Sequence, residues 1–172
     1  MEVPYINNSW ILECMPDSTE PLKLIKIDYI KEKSFYSASL GYEVQQSEIE
    51  KLCNFLRKEN IDCIYMSTMN PPKEKTFRLN VNSEKFVDDF YEIYDDLDIK
   101  WLGWLLFDDQ RNVLMFTDSD YYHVWVGSKE FVQSVLPEPI TIEKVFENFK
   151  EYMRCHHLDS SLFYNYLLKN YV

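Results

Sequence analysis

Hydrophobic and polar residues alternate along several short segments, and this pattern predicts β-strands. The clearest case is the segment 76–81, in which Phe77, Leu79 and Val81 are separated by polar residues. One face of this strand is therefore expected to be buried and the other solvated. Further strands are predicted at 22–30, 35–40, 61–67, 101–107, 113–117 and 121–127. The segment 35–40 is expected to return as the hairpin partner of 22–30.

Apolar residues at intervals of three or four positions predict α-helices between and after these strands. The predicted helices run from Ser47 to about Asn60, from Ser83 to Leu97, and onward from Ser128, Thr141 and about Asp159. In the first of them, Ser47 followed by Glu50 has the spacing of a capping box. The expected fold class is α+β, a single domain over 1–172 with a mostly antiparallel sheet and packed helices. Short polar turns at 108–112 and 118–120 predict a C-terminal three-stranded meander, because they cannot make a parallel crossover.

Composition excludes several classes of function. The chain has 172 residues, 46% of them hydrophobic, which is enough for one buried core. Only 3 residues are glycine, which disfavours the glycine-rich loops that hold phosphate groups. The motifs of serine hydrolases, zinc proteases and P-loop enzymes do not occur. The sequence therefore predicts a protein that is not an enzyme and needs no cofactor.

The N-terminal residues do not have the pattern of a signal peptide, and no uncharged segment approaches the roughly 20 apolar residues of a membrane helix. The four cysteines, Cys14, Cys53, Cys63 and Cys155, form no C-x-x-C pair. We expect them to be reduced and mostly buried, and we expect the protein to be cytoplasmic, with no membrane partner.

Charge is the most informative feature of the composition. The chain carries 18 Lys and Arg against 29 Asp and Glu, a formal net charge of −11. Between Glu84 and Asp120 there are eleven acidic residues and three basic ones, so most of the excess is local. A surface of this kind repels nucleic acid and anionic lipid and favours a basic protein partner.

Five acidic residues fall within about one third of the circumference of the second predicted helix. This acidic ridge consists of Asp88, Asp89, Glu92, Asp95 and Asp96. It lies opposite an apolar stripe that contains Phe86 and Phe90. Like charges four positions apart destabilise a free helix, and so do acids near its C-terminus. A basic partner would relieve this repulsion, whereas the alternative interpretation is an ordinary solvated face.

The last strand of the predicted meander carries Tyr121, His123 and Trp125 on one face. Aromatic residues beside an acidic surface are typical of protein-binding sites. Alternatively, half of the residues of this strand fill the core.

A metal site is a further alternative. Asp118, Asp120 and His123 could supply oxygen and nitrogen ligands to a divalent ion, although Asp-Ser-Asp is also typical of a tight turn. Cys155 is followed by two histidines, but neighbouring residues on a helix point in different directions and cannot all reach one ion.

The segment LFDDQRNVLMFTDSDYYHVWVGSKEFVQSVL, from Leu106 to Leu136, resembles the bacterial immunity proteins that neutralise polymorphic or contact-dependent toxins. The resemblance covers about a fifth of the chain and is to the class rather than to one family. It implies an inhibitor whose acidic surface occludes the active or substrate-binding site of a basic, nuclease-type toxin. The residues expected to contact the toxin are Asp88, Asp89, Glu92, Asp95 and Asp96, then Asp108, Asp109, Tyr121 and Trp125. The alternatives are an adaptor or regulatory domain for another basic protein, and a small metal-dependent enzyme using Asp118, Asp120 and His123.

Overall fold

The structure, a computed structural model, describes residues 2–3, 32–40, 44–68, 75–95, 103–110, 112–117 and 123–136. Within these segments the strands are β1 (Glu2–Val3), β2 (Tyr36–Leu40), β3 (Cys63–Thr68), β4 (Thr76–Asn80), β5 (Trp104–Asp108), β6 (Val113–Thr117) and β7 (His123–Gly127). The helices are α1 (Gln46–Lys58), α2 (Phe86–Tyr94) and α3 (Lys129–Val135).

The strands of these segments form one sheet in the order β1-β4-β3-β5-β6-β7-β2, and neighbouring strands are antiparallel. The prediction of an α+β fold with a three-stranded meander is confirmed, because β5, β6 and β7 are consecutive neighbours. The strand β2, expected to pair with 22–30, pairs with β7. The segment 22–30 and the helices predicted from Thr141 and Asp159 lie outside the described residues.

The core lies between the sheet and the three helices named above. Cross-strand pairing places one row of side chains across the sheet on the face that these helices cover. The row consists of Phe77, Met66, Leu106, Met115, Trp125 and Ala38. Every residue of β5 and of β7 is buried. These two strands are therefore buried on both faces, so alternation along them does not separate a wet face from a dry one.

The helix α1 buries the predicted apolar stripe of Ile49, Leu52, Cys53 and Leu56. Its N-terminus differs from the prediction, because the residues in capping-box positions are Gln45 and Glu48 rather than Ser47 and Glu50. The Gln45 backbone N–H donates to Oε2 of Glu48 at 2.8 Å. The N-cap lies two residues earlier than predicted, so Ser47 lies inside the first turn of the helix.

The C-terminus of α1 ends in a Schellman motif. Asn60 has a left-handed backbone with φ of 58°, and the Ile61 N–H donates to the Leu56 carbonyl at 2.9 Å. Asparagine is one of the few non-glycine residues that adopt this conformation readily. The motif turns the chain directly toward β3.

Hydrogen bonds from neighbouring elements position α2. Arg57 of α1 donates through Nε to the Val81 carbonyl and through Nη2 to the Ser83 carbonyl, each at 2.9 Å. The Tyr91 hydroxyl donates to the Val44 carbonyl at 3.0 Å. Ser83 was expected to cap the helix, but the N-cap is Lys85, whose N–H donates to the Ser83 hydroxyl.

The start of α3 agrees with the sequence. Ser128 is its N-cap, and the Phe131 N–H donates to the Ser128 hydroxyl at 3.1 Å. Cys53 and Cys63 are free and buried, as expected, whereas Cys14 and Cys155 lie outside the described residues.

Candidate functional site

The outer face of α2 carries the described part of the acidic ridge. Asp88, Glu92 and Asp95 are exposed, and their spacing of four and then three residues places them along one stripe. Asp89 is half-buried beside them. The opposite side of the helix buries Phe86, Phe90, Ile93 and Tyr94, as the sequence predicted. Asp96 lies outside the described residues.

No ion pair neutralises this surface within the part of the chain that the structure describes. Asp88, Asp89, Glu92 and Asp95 have no lysine or arginine nitrogen within 4.0 Å there. The positive end of the helix dipole favours Asp88 and Asp89, which lie in the first turn. Asp95 is the C-cap, where the dipole disfavours a negative charge. The stripe therefore presents negative potential to the solvent, and its C-terminal part is held at an unfavourable position.

Asp108 and Asp109, at the turn between β5 and β6, have different environments. The Asp108 side chain is only 7% exposed. Its Oδ1 accepts a hydrogen bond from the Asn112 backbone N–H at 2.8 Å, and its Oδ2 accepts one from Asn112 Nδ2 at 2.9 Å. Asp109 is exposed. Asp108 therefore shapes the turn, whereas the Asp109 side chain faces the solvent.

Asp108 and Asp109 border a groove of about 310 Å³. The C-terminal part of α1 forms one wall, with Phe55, Leu56 and Glu59, and the junction of β7 with α3 forms another. The groove opens beside exposed Glu59 and exposed Asp109.

Trp125 corrects the predicted set of contact residues. Its side chain is 0% exposed, so it cannot contact a partner. Its position in the central row of the sheet explains the burial, because it lies opposite Met115 on one side and Ala38 on the other. Tyr121, predicted beside it, lies outside the described residues.

A buried polar network occupies the position where an aromatic contact surface was expected. Oε1 of Glu48 accepts a hydrogen bond from Trp125 Nε1 at 2.8 Å and lies 3.0 Å from His123 Nε2. Glu48 is 0% exposed and His123 is 1% exposed. The network joins the first turn of α1 to β7. Because it is closed to solvent, it can hold these two elements together but cannot meet a soluble substrate in this conformation.

Sequence reasoning did not identify Glu48. Two signals could have pointed to it: Glu48 precedes Leu52 by four positions and so lies on the apolar side of the helix, and it follows Gln45 by three. A buried carboxylate requires hydrogen-bond donors, and here they come from a strand 75 and 77 residues further along the chain.

The metal alternative gains no support from the described residues. His123 directs Nε2 at Glu48, and Asp118 and Asp120 lie outside the described segments. Within those segments, no three His, Cys, Asp or Glu side chains are grouped in a way that could hold a metal ion.

Comparison of the chain with protein-family models, with curated proteins and with solved structures found no match. In the described segments, none of the helices has the length and apolar character needed to cross a bilayer.

Proposed function

We propose that this protein is an immunity protein that binds a basic toxin domain of the nuclease class through the acidic ridge and prevents it from reaching its substrate. The observation that carries the proposal is the exposed stripe of Asp88, Glu92 and Asp95, which has no neutralising lysine or arginine in the described part of the chain. A row of carboxylates on a rigid helix offers a cationic active site the charge pattern of a phosphate backbone.

The rigidity of α2 supports this role. The helix is anchored through Arg57 and Tyr91 and buries four large side chains. A preorganised surface loses little conformational entropy on binding. The ridge therefore meets a partner with its charges already aligned, so that long-range attraction accelerates association.

Charge reversal at two exposed acidic residues of the ridge, compared with the same change at two exposed acidic residues elsewhere, tests the proposal. The first variant carries Asp88→Lys and Glu92→Lys on the ridge. The control carries Glu32→Lys and Glu50→Lys, which change the net charge by the same amount at exposed positions outside α2. Asp89 is left unchanged because it is half-buried.

The assay uses basic toxin domains encoded beside the gene for this chain. Each is co-expressed with the wild-type chain and with both variants, and growth is scored. Association rates of the purified proteins are then measured at several salt concentrations. We expect the wild-type chain to restore growth and the ridge variant to associate at least about 10-fold more slowly, with a weaker salt dependence.

The control variant should keep most of the wild-type rate. Equal rates for the two variants would reject the ridge as the interface. Binding without rescue of growth would reject neutralisation and would favour the adaptor function.

A further inference from the structure

The groove between α1, the β5–β6 turn and the β7–α3 junction combines features that the ridge does not have. Its volume of about 310 Å³ is near the lower end of the range for ligand sites, about 300 to 1,000 Å³. It therefore suits a single side chain better than a folded element. Its described lining residues include Glu59, Asp108 and Asp109, and they include no lysine, arginine or histidine.

Asp108 is the feature that points to a ligand. It is more than nine-tenths buried, and it has no cationic partner in the described segments. Each of its oxygens accepts one hydrogen bond, both from Asn112, and a carboxylate can accept about four in all. A buried negative charge is stabilised by an opposite charge and by further donors, and the side chain borders open space where both could be supplied.

Aromatic residues line the groove beside these carboxylates. Phe55 is half-buried, and its ring packs edge to face on Phe131 with centroids 5.1 Å apart. Phe35 also lines the groove and is half-buried. A planar cation can stack on such rings while it donates hydrogen bonds to a carboxylate.

We infer that this groove is the docking site for an arginine side chain of the basic protein partner, with the guanidinium against Asp108 and Asp109 and its flat face on the aromatic wall. The inference rests on the proposed function and adds a specific contact to it. Arginine fits better than lysine because its flat fork supplies several donors in fixed directions and stacks on aromatic rings. A lysine ammonium is a more strongly hydrated point charge and gains less from the aromatic wall.

Tripeptide probes test the inference without the partner. The ¹⁵N-labelled full chain is titrated with acetyl-Gly-Arg-Gly-amide, with the lysine peptide, and with the peptide in which neutral citrulline replaces arginine. Low ionic strength is used because it screens exposed charges least. We expect the arginine peptide to shift the Asn112 side-chain amide and the Gly127 and Ser128 backbone amides, with a dissociation constant on the order of 1 mM.

Three variants show whether the carboxylates recognise the peptide. Asp109→Asn with Glu59→Gln removes two exposed charges at the rim of the groove. This variant should weaken the binding of the arginine peptide by about 3- to 10-fold. Asp108→Asn should weaken the binding of this peptide by at least about 10-fold. Because this substitution also touches the turn, the rim variant keeps the inference testable if Asp108→Asn fails to fold. The matched control, Glu50→Gln with Glu84→Gln, removes two exposed charges outside both the groove and the ridge and should leave the affinity for the arginine peptide unchanged.

The outcomes separate the groove from the proposed function. Equal binding of the citrulline peptide would overturn recognition of a cation. Binding of the lysine peptide with equal affinity would overturn the choice of arginine. If the control variant weakened binding as much as the rim variant, the effect would come from the net charge of the protein rather than from the groove carboxylates. Absence of shifts at the groove would reject the docking site but would leave the ridge-dependent association rate as an independent measurement.

Discussion

Replacement of Glu48 by alanine is the sharpest test of the buried network. The substitution removes the acceptor for Trp125 Nε1 and His123 Nε2 and for the Gln45 backbone N–H. Trp125 and His123 are almost completely buried, so water cannot easily replace the lost carboxylate. The three groups span the first turn of α1 and the strand β7. The variant should therefore weaken the attachment of α1 to the sheet as well as the start of the helix.

The expected magnitude follows from these contacts. Each of the two buried donors left without an acceptor, Trp125 Nε1 and His123 Nε2, destabilises by about 1 to 2 kcal/mol, and the lost N-terminal cap contributes about 1 kcal/mol more. We expect Glu48→Ala to lower the free energy of unfolding by about 3 to 5 kcal/mol. For a domain of this size, that corresponds to a melting temperature lower by about 6 to 20 °C.

Urea unfolding followed by tryptophan fluorescence measures the effect. Glu50→Ala is the matched control, because Glu50 is exposed on the same helix and, among the described residues, its carboxylate is hydrogen-bonded only to exposed Gln46. The control should change the free energy of unfolding by less than about 0.5 kcal/mol. Glu48→Gln keeps one acceptor oxygen, so its loss of unfolding free energy should lie between those of Glu48→Ala and Glu50→Ala. If Glu48→Ala lost no more unfolding free energy than the control, the conclusion that the network attaches α1 to β7 would be refuted.

Two further predictions concern the core. An alanine at Gly127 would place its Cβ 2.5 Å from Cδ1 of buried Phe131, so Gly127→Ala should destabilise by about 1 to 3 kcal/mol, and an unchanged urea midpoint would contradict this close contact. Burial raises the pKa of the Cys53 thiol above its value in the unfolded chain, an effect only partly opposed by Arg57. The unfolded chain therefore loses this proton first, and stability should fall as the pH rises above about 8.5. Cys53→Ala should show a shallower fall than the wild type, and equal slopes would exclude Cys53 as a source of the pH dependence.

Local sequence patterns correctly predicted those helices, strands and turns that depend on residues close together in the chain. The apolar stripe of α1 and the alternation in β4 depend on contacts within one element, and the polar turns of the meander restrict which strands can be neighbours. The pairing of β2 with β7 depends on contacts about 90 residues apart. No local pattern encodes such a pairing.

The candidate site shows the same division. The exposed stripe on α2 follows from helix periodicity, because the apolar residues fix which side faces the core. Trp125 failed as a surface residue because the sequence does not show that β7 is buried on both faces. Asp108 was predicted to contact the partner, and it is largely buried because its turn folds the carboxylate back onto Asn112. For Trp125 the outcome depended on the strands on either side of β7, whereas for Asp108 it depended on a contact four residues away in its own turn.

The helix α1 links the core to both proposed contact surfaces. Its first turn holds β7 through Glu48, its last turn holds the segment that enters α2 through Arg57, and Glu59 follows directly at the wall of the groove. A substitution that weakens the packing of α1 would therefore disturb the ridge and the groove together, even though the substituted residue lies in neither surface. For this reason, the variants that test binding, apart from Asp108→Asn, are placed at exposed side chains of α2 and of the groove rim. At these exposed positions, a loss of affinity cannot be explained by a loss of the network that Glu48 organises.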